Sequence, residues 1–243
     1  MQSLIPALLG SLTGLVGTGL GGLLICLFRR PKPGLARLFI GCSAGMMLCI
    51  ALVDMMPEAL AIAGFLPAAL GAAAGLAMVF LPALKPGENQ AAPTSMLRLG
   101  MMVTIGVALH NFPEGLAIGS GLVGGELTQS YGFRLALLML AHNIPEGMAL
   151  ALPLRLGEMG RTRIFFMALL SGLPEGIGAW LGYLLGGLSP VWIAASIAFG
   201  GGAMVGITIR GLLPESINGL YDGPGWLAVM MGILLGLVLI WAI

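Results

Sequence analysis

Two stretches of the chain carry the same pattern, His-Asn-x-Pro-Glu-Gly: LHNFPEG at 109–115 and AHNIPEG at 141–147. His110 and Glu114 are four residues apart, as are His142 and Glu146, so on a helix each imidazole shares a face with its carboxylate, one turn away. Asn111 and Asn143 stand three residues before those glutamates, at the edge of the same face. Two such helices side by side would converge imidazoles, carboxylates and amide oxygens. That donor set suits zinc, iron, manganese or cadmium better than sodium or potassium, which need no nitrogen. Thiolates do not contribute. Cys26, Cys42 and Cys49 lie in apolar runs without CxxC spacing and read as small buried hydrophobes, which argues against a tight structural zinc site.

The surroundings of these residues are apolar. The chain has 243 residues, 58% of them hydrophobic and 9% charged, with a mean hydropathy of +1.02. A soluble domain carries about 25% charged residues, so lipid is the solvent this composition fits. The 40 glycines agree, since small residues let membrane helices approach closely. The sixteen methionines are scattered and read as packing. The formal net charge of +1 suggests no nucleic-acid partner. The N-terminal stretch has no charged region ahead of its apolar run, so it reads as a first span and not as a cleaved signal.

Charges and Pro/Gly clusters divide the chain into eight apolar pieces, at approximately 3–28, 37–60, 65–84, 97–122, 131–153, 163–187, 190–213 and 225–243. The predicted fold is an all-α membrane protein, one transmembrane domain over 1–243 with eight helices. Ten of the eleven basic residues fall at odd-numbered connections, which the positive-inside rule makes cytoplasmic. Both termini are then expected outside the cytoplasm, and residues 85–96 form a cytoplasmic loop. Arg134, Glu126 and Asp222 read as solvated loop charges. AGMMLCIALVDMMPE at 44–58 matches GGAMVGITIRGLLPE at 201–215, in spans of opposite direction, which predicts an inverted-repeat bundle.

Asp54, Glu58, Glu114, Glu146, Glu175 and Glu215 all sit within or at the end of an apolar piece. An ionisable group in hydrocarbon costs about 2.5–3.5 kcal/mol on insertion scales, so such groups must face the bundle interior and find partners. Buried bases are too few to neutralise them; a visiting divalent cation or protons would serve. Pro113 and Pro145 remove helical hydrogen bonds and release the carbonyls of Leu109 and Ala141, which predicts kinked fourth and fifth spans lining a cavity. Gly115 and Gly147 leave room for a close neighbour. Asp54, Glu58 and Glu215 lie nearer span ends, where an entrance or exit role and plain interfacial capping are both open.

The paired motif resembles the ZIP (Zrt/Irt-like) metal transporters. SGLPEGIGA at 171–179 and the order of the spans strengthen the likeness, which covers nearly the whole chain. The resemblance implies a two-metal central site. His110, Asn111 and Glu114 correspond to fourth-helix ligands, His142, Asn143 and Glu146 to fifth-helix ligands, and Glu175 to the sixth-helix ligand. Met47 corresponds to a second-helix pore contact, and Ser171, Asp54, Glu58 and Glu215 join it as candidate lining of the path. It further implies movement of metal toward the cytoplasm across a cell membrane (inner or plasma), often as a homodimer, with an elevator-like motion of the domain holding helices four and five. Many members carry a His-rich loop between spans three and four; here that loop has no histidine.

The other functional class is a membrane-embedded metalloenzyme. HExxH is absent, and the order here is HxxxE where bundle di-iron sites use ExxH. No P-loop is present, so ATP is not expected to drive the protein directly.

Overall fold

The computed structural model describes residues 4–28, 34–80, 96–124, 126–218 and 225–243, and these are helical with short connections. Most of the expected loop at 85–96, together with Asp222, lies outside the described residues. The helices are α1 (Leu4–Leu27), α2 (Gly34–Cys49), α3 (Met56–Ala63), α4 (Phe65–Phe80), α5 (Met96–Gly121), α6 (Tyr131–Leu156), α7 (Arg161–Ser171), α8 (Leu173–Gly186), α9 (Pro190–Ile207), α10 (Leu213–Asn218) and α11 (Gly225–Ala242). Six helical stretches among the described residues are long and apolar enough to cross a membrane: Leu4–Leu27, Arg37–Ala63, Tyr131–Leu156, Arg161–Gly186, Pro190–Ile217 and Gly225–Ala242. Helix α4 is apolar but has 16 residues, and α5 has 26.

Local chemistry sets several boundaries. Ser130 caps α6 by accepting the Phe133 N–H at 3.2 Å. Gly64 ends α3 with φ +77°, a conformation that side chains disfavour, and so lets α4 turn away at once. Helix α5 runs through Pro113, and α6 through Pro145 and Pro153, without a break.

The repeat seen in the sequence recurs in the backbone. A π-helical turn at Ile50–Met55 joins α2 to α3, and another at Thr208–Leu212 joins α9 to α10. In the first, the Met56 N–H donates to the Ala51 carbonyl; in the second, the Leu213 N–H donates to the Thr208 carbonyl, each five residues back at matched positions of the repeat. A proline follows within two residues of each turn, at Pro57 and Pro214, where the missing N–H interrupts the ordinary ladder.

Packing obeys the same exchange. Helix α5 lies on α8 and α1 on α6; α4 lies on α9 and α2 on α11; α5 meets α9 and α6 meets α2. Swapping α1 with α8, α2 with α9, α4 with α11 and α5 with α6 converts each of these pairs into another of them. Helices α1, α5, α6, α7 and α8 thus form one packed group, and α2, α3, α4, α9, α10 and α11 the other.

The outside is apolar, with Leu8, Leu70, Leu188 and Trp226 all more than half exposed. One core cluster holds Met47, Ile118, Leu135, Met139 and Met204, and another holds Ile25, Val107, Leu150, Leu154 and Ile164. On α5 and α6 the His-Asn-x-Pro-Glu-Gly segments lie between residues of these two clusters. The polar residues therefore form a belt with apolar packing on either side.

Arg134 corrects one expectation. Its guanidinium pairs with the carboxylate of buried Asp54, which also accepts the Tyr131 hydroxyl at 2.9 Å. The long side chain reaches from the first turn of α6 to the π turn of the neighbouring helix, a contact that placement by loop could not show. Glu126, by contrast, is exposed. Arg134→Ala is expected to leave Asp54 short of a charged partner and to lower thermal stability by about 1.5–3 kcal/mol. Thermal unfolding in detergent measures this, and Arg134→Lys should recover part of the loss.

Candidate metal site

Helices α5 and α6 are joined by the short connection 122–130 and pack against each other. This brings Glu114 of α5 to His142 of α6: Nε2 of His142 lies 3.8 Å from Glu114 Oε1 and 3.9 Å from Glu146 Oε1. All three side chains are buried, at 0–2% exposure. These gaps exceed hydrogen-bond length. Zinc bonds to imidazole and carboxylate are about 2.0–2.2 Å, so two ligands of one ion stand up to about 4.2 Å apart. An ion bridging the imidazole and either carboxylate is therefore sterically possible. His110 lies in α5 one turn before Glu114, but its side chain is outside the described residues. Among the described residues no three His, Cys, Asp or Glu side chains are gathered tightly enough to hold an ion by themselves.

The asparagines flank this group. Gly172 separates α7 from α8, and there the Glu175 N–H turns to the Gly172 carbonyl at 3.2 Å. The Ser171 carbonyl is left for Asn111, whose Nδ2 donates to it at 2.8 Å. Asn143 donates through Nδ2 to Glu175 Oε2 at 2.8 Å, while Thr13 of α1 donates through its hydroxyl to Glu175 Oε1 at 2.7 Å. Both amide nitrogens thus face acceptors, which fixes the direction of both amides. The oxygens Oδ1 of Asn111 and Asn143 are buried and accept no hydrogen bond among the described residues. A buried acceptor without a donor costs about 1–3 kcal/mol, and a cation removes that cost.

Glycines make this proximity possible. A Cβ on Gly115 would overlap the Glu175 carbonyl, and one on Gly147 would overlap the Thr18 carbonyl, so α5 and α8, and likewise α6 and α1, touch backbone to backbone.

The family model described as ZIP Zinc transporter matches residues 82–243. This chain belongs to the ZIP family. Among curated relatives, the zinc transporter ZupT of Escherichia fergusonii is 35% identical over 225 residues, covering 86% of each chain. The ZupT proteins of Escherichia coli O7:K1 and Escherichia coli K12 are each 36% identical over 225 residues, with the same coverage.

Within this ZIP chain, the structure brings together Asn111, Glu114, His142, Asn143, Glu146, Glu175 and Ser171, the last through its backbone. The remaining candidates lie elsewhere. Met47 is fully buried in the apolar core, its sulfur 3.7 Å from the Thr208 hydroxyl, which donates to the Met204 carbonyl at 2.7 Å. Asp54 is engaged by Arg134 and Tyr131. Glu58 is half-buried and lines a cavity of about 460 Å³ with Thr128, Gln129, Tyr131 and Arg134. Glu215 is half-buried, with Oε1 buried and accepting no hydrogen bond among the described residues.

Thr13, whose hydroxyl donates to Glu175 Oε1, is the site neighbour that sequence reading missed. A signal was present: LTGLV at 12–16 matches LSGLP at 170–174, which sets Thr13-Gly14 against Ser171-Gly172. Those two glycines pack on each other in the structure. This match and the longer one, 44–58 with 201–215, have nearly the same offset.

Proposed function

We propose that this protein carries divalent metal ions, zinc foremost, across a cell membrane toward the cytoplasm. The ions pass through a site made by His110, Asn111, Glu114, His142, Asn143 and Glu146, with Glu175 beside them, and the site takes two ions per chain. The observation that carries this reading is the His142 imidazole set between carboxylates of two helices, next to two orphaned amide oxygens, in a belt between apolar clusters. Zinc transporters among the relatives support the choice of cargo. Both Glu175 oxygens already accept a hydrogen bond. Each keeps a second lone pair, so a ligand role is compatible with them.

Eight spans complete this reading, with α4 and α5 joining the six long apolar stretches and the helices at Pro113 and Pro145 kinked around the ions. The charge distribution puts both termini outside the cytoplasm, so the cavity beside Glu58 and Arg134 faces the exterior and serves as entrance, with Asp54 at its wall. Met47 and Glu215 line the remaining path in this scheme, and a homodimer is its assembly.

Full-length protein in liposomes tests this. Flux of zinc, cadmium, iron, manganese and nickel is followed together with internal pH. Saturable accumulation of zinc or cadmium is expected. No flux of any ion in the panel, from protein that remains folded, rejects the proposal.

A further inference from the structure

We propose that Thr13 is a positioning residue of the metal site, acting through Glu175 to aim the Asn143 amide oxygen at the ion. This rests on the reading of the site given above.

The contacts form a closed triangle on the α1–α6–α8 seam. The Thr13 hydroxyl donates to Glu175 Oε1 at 2.7 Å, and Asn143 Nδ2 donates to Glu175 Oε2 at 2.8 Å. The same nitrogen points its other proton toward the Thr13 carbonyl, at 3.5 Å. Thr13 has one proton to give. Its own helix offers the Gly10 carbonyl at 2.9 Å and the Leu9 carbonyl at 3.1 Å. The Glu175 oxygen is the nearest of these acceptors, so it takes the proton. Thr13, Asn143 and Glu175 are all buried, at 0–3% exposure. With its nitrogen held on Glu175, the Asn143 amide turns its oxygen the other way, where it accepts no hydrogen bond among the described residues.

The pseudo-symmetry explains why one half of the site needs this device. On the α5 side, Asn111 is held by the Ser171 carbonyl at 2.8 Å. The matched carbonyl on the α6 side belongs to Thr13 and stands too far to hold Asn143 firmly. Glu175 takes over that duty. The position in α1 matched to Glu175 is Gly17, where a Cβ would collide with that of Asn143. A carboxylate introduced from one side of the repeat therefore fills the place a carbonyl fills on the other, and Thr13 fixes where that carboxylate sits.

The test compares Thr13→Val, which keeps the shape and removes the donor, with Thr13→Ser, which keeps the donor. KM and maximal rate of zinc and cadmium uptake are measured in liposomes, and zinc Kd by calorimetry in detergent. Groups that orient metal ligands typically contribute 10–100-fold in affinity. Thr13→Val is expected to raise KM and Kd by at least about 10-fold, and Thr13→Ser to restore them nearly to wild type. Thr18→Val is the control: the Thr18 hydroxyl bonds the Gly14 carbonyl of its own helix at 2.7 Å, and its loss should leave KM unchanged. Wild-type KM and Kd in Thr13→Val overturn the proposal, while dead uptake in His142→Ala would still uphold the site. Full uptake in His142→Ala removes the site reading itself. If Thr13→Val does not fold, Thr13→Ala replaces it, and failure of both to fold makes Thr13 a folding residue and ends the proposal.

Discussion

Zinc uptake by His142→Ala should fall to background, at least about 100-fold below wild type, while the protein still inserts and unfolds cooperatively. His142 faces both Glu114 and Glu146 across gaps an ion can bridge, at 3.8 and 3.9 Å. Removing it takes away the nitrogen and leaves two buried carboxylates with less to share. Loss of a group that merely orients a ligand costs about 10–100-fold, so loss of a bridging ligand belongs at or beyond the top of that range. Glu146→Ala should behave alike. The decisive measurement is the initial rate of radioactive zinc entry into liposomes at matched protein content. Thermal unfolding gives an independent readout. Zinc at 100 times its Kd should stabilise the wild type by about 2.7 kcal/mol, and that increment should vanish in His142→Ala. Uptake retained in both variants would place the transport path elsewhere in the bundle.

Gly115→Val should be as damaging by a different route. The Gly115 Cα faces the backbone of α8 at Glu175, and even a single Cβ there overlaps the Glu175 carbonyl. Backbone cannot rotate aside as a flexible side chain can, so relief requires α5 and α8 to separate. Overpacking typically costs 1–3 kcal/mol, and a rigid neighbour puts this case at about 3 kcal/mol or more. The separation would also displace Glu114 from His142 and Glu175 from Asn143, so activity and stability should fall together. Thermal unfolding in detergent and zinc uptake check the two limbs. Gly160→Ala is the contrast: no atom lies within 4 Å of a Cβ placed there, so it should leave zinc uptake unchanged and cost no more than the small N-cap preference of α7. A Gly115→Val protein with wild-type unfolding would mean that α5 and α8 do not touch as described.

Some features were legible because they are local. The pairing of His142 with Glu146 follows from a spacing of four residues on one helix, whatever the helix packs on. The low charge and high apolar content decided lipid as solvent before any contact was known. The 44–58 and 201–215 match announced two related segments, and the π turns at Ile50–Met55 and Thr208–Leu212 give it a backbone form. The shorter match of Thr13-Gly14 with Ser171-Gly172 was as visible but had too few residues to stand out alone.

Other features depended on where distant segments meet. Arg134 stands 80 residues from Asp54, and nothing in its neighbours distinguishes it from a loop charge. Thr13 is 162 residues from Glu175 and sits in a span with no charged residue, where Ser11 and Thr18 offer the same kind of hydroxyl. Which rotamer an asparagine takes, and whether its nitrogen or its oxygen is the atom held, is set by the acceptor opposite it on another helix. The residue types and their order along each helix thus determined that this is a membrane protein with a carboxylate–imidazole belt. Only the tertiary structure decided which carboxylates are neutralised by protein groups and which amide oxygens are left over, because helix rotation and close approach at glycine are fixed by packing between helices and leave no period in the sequence.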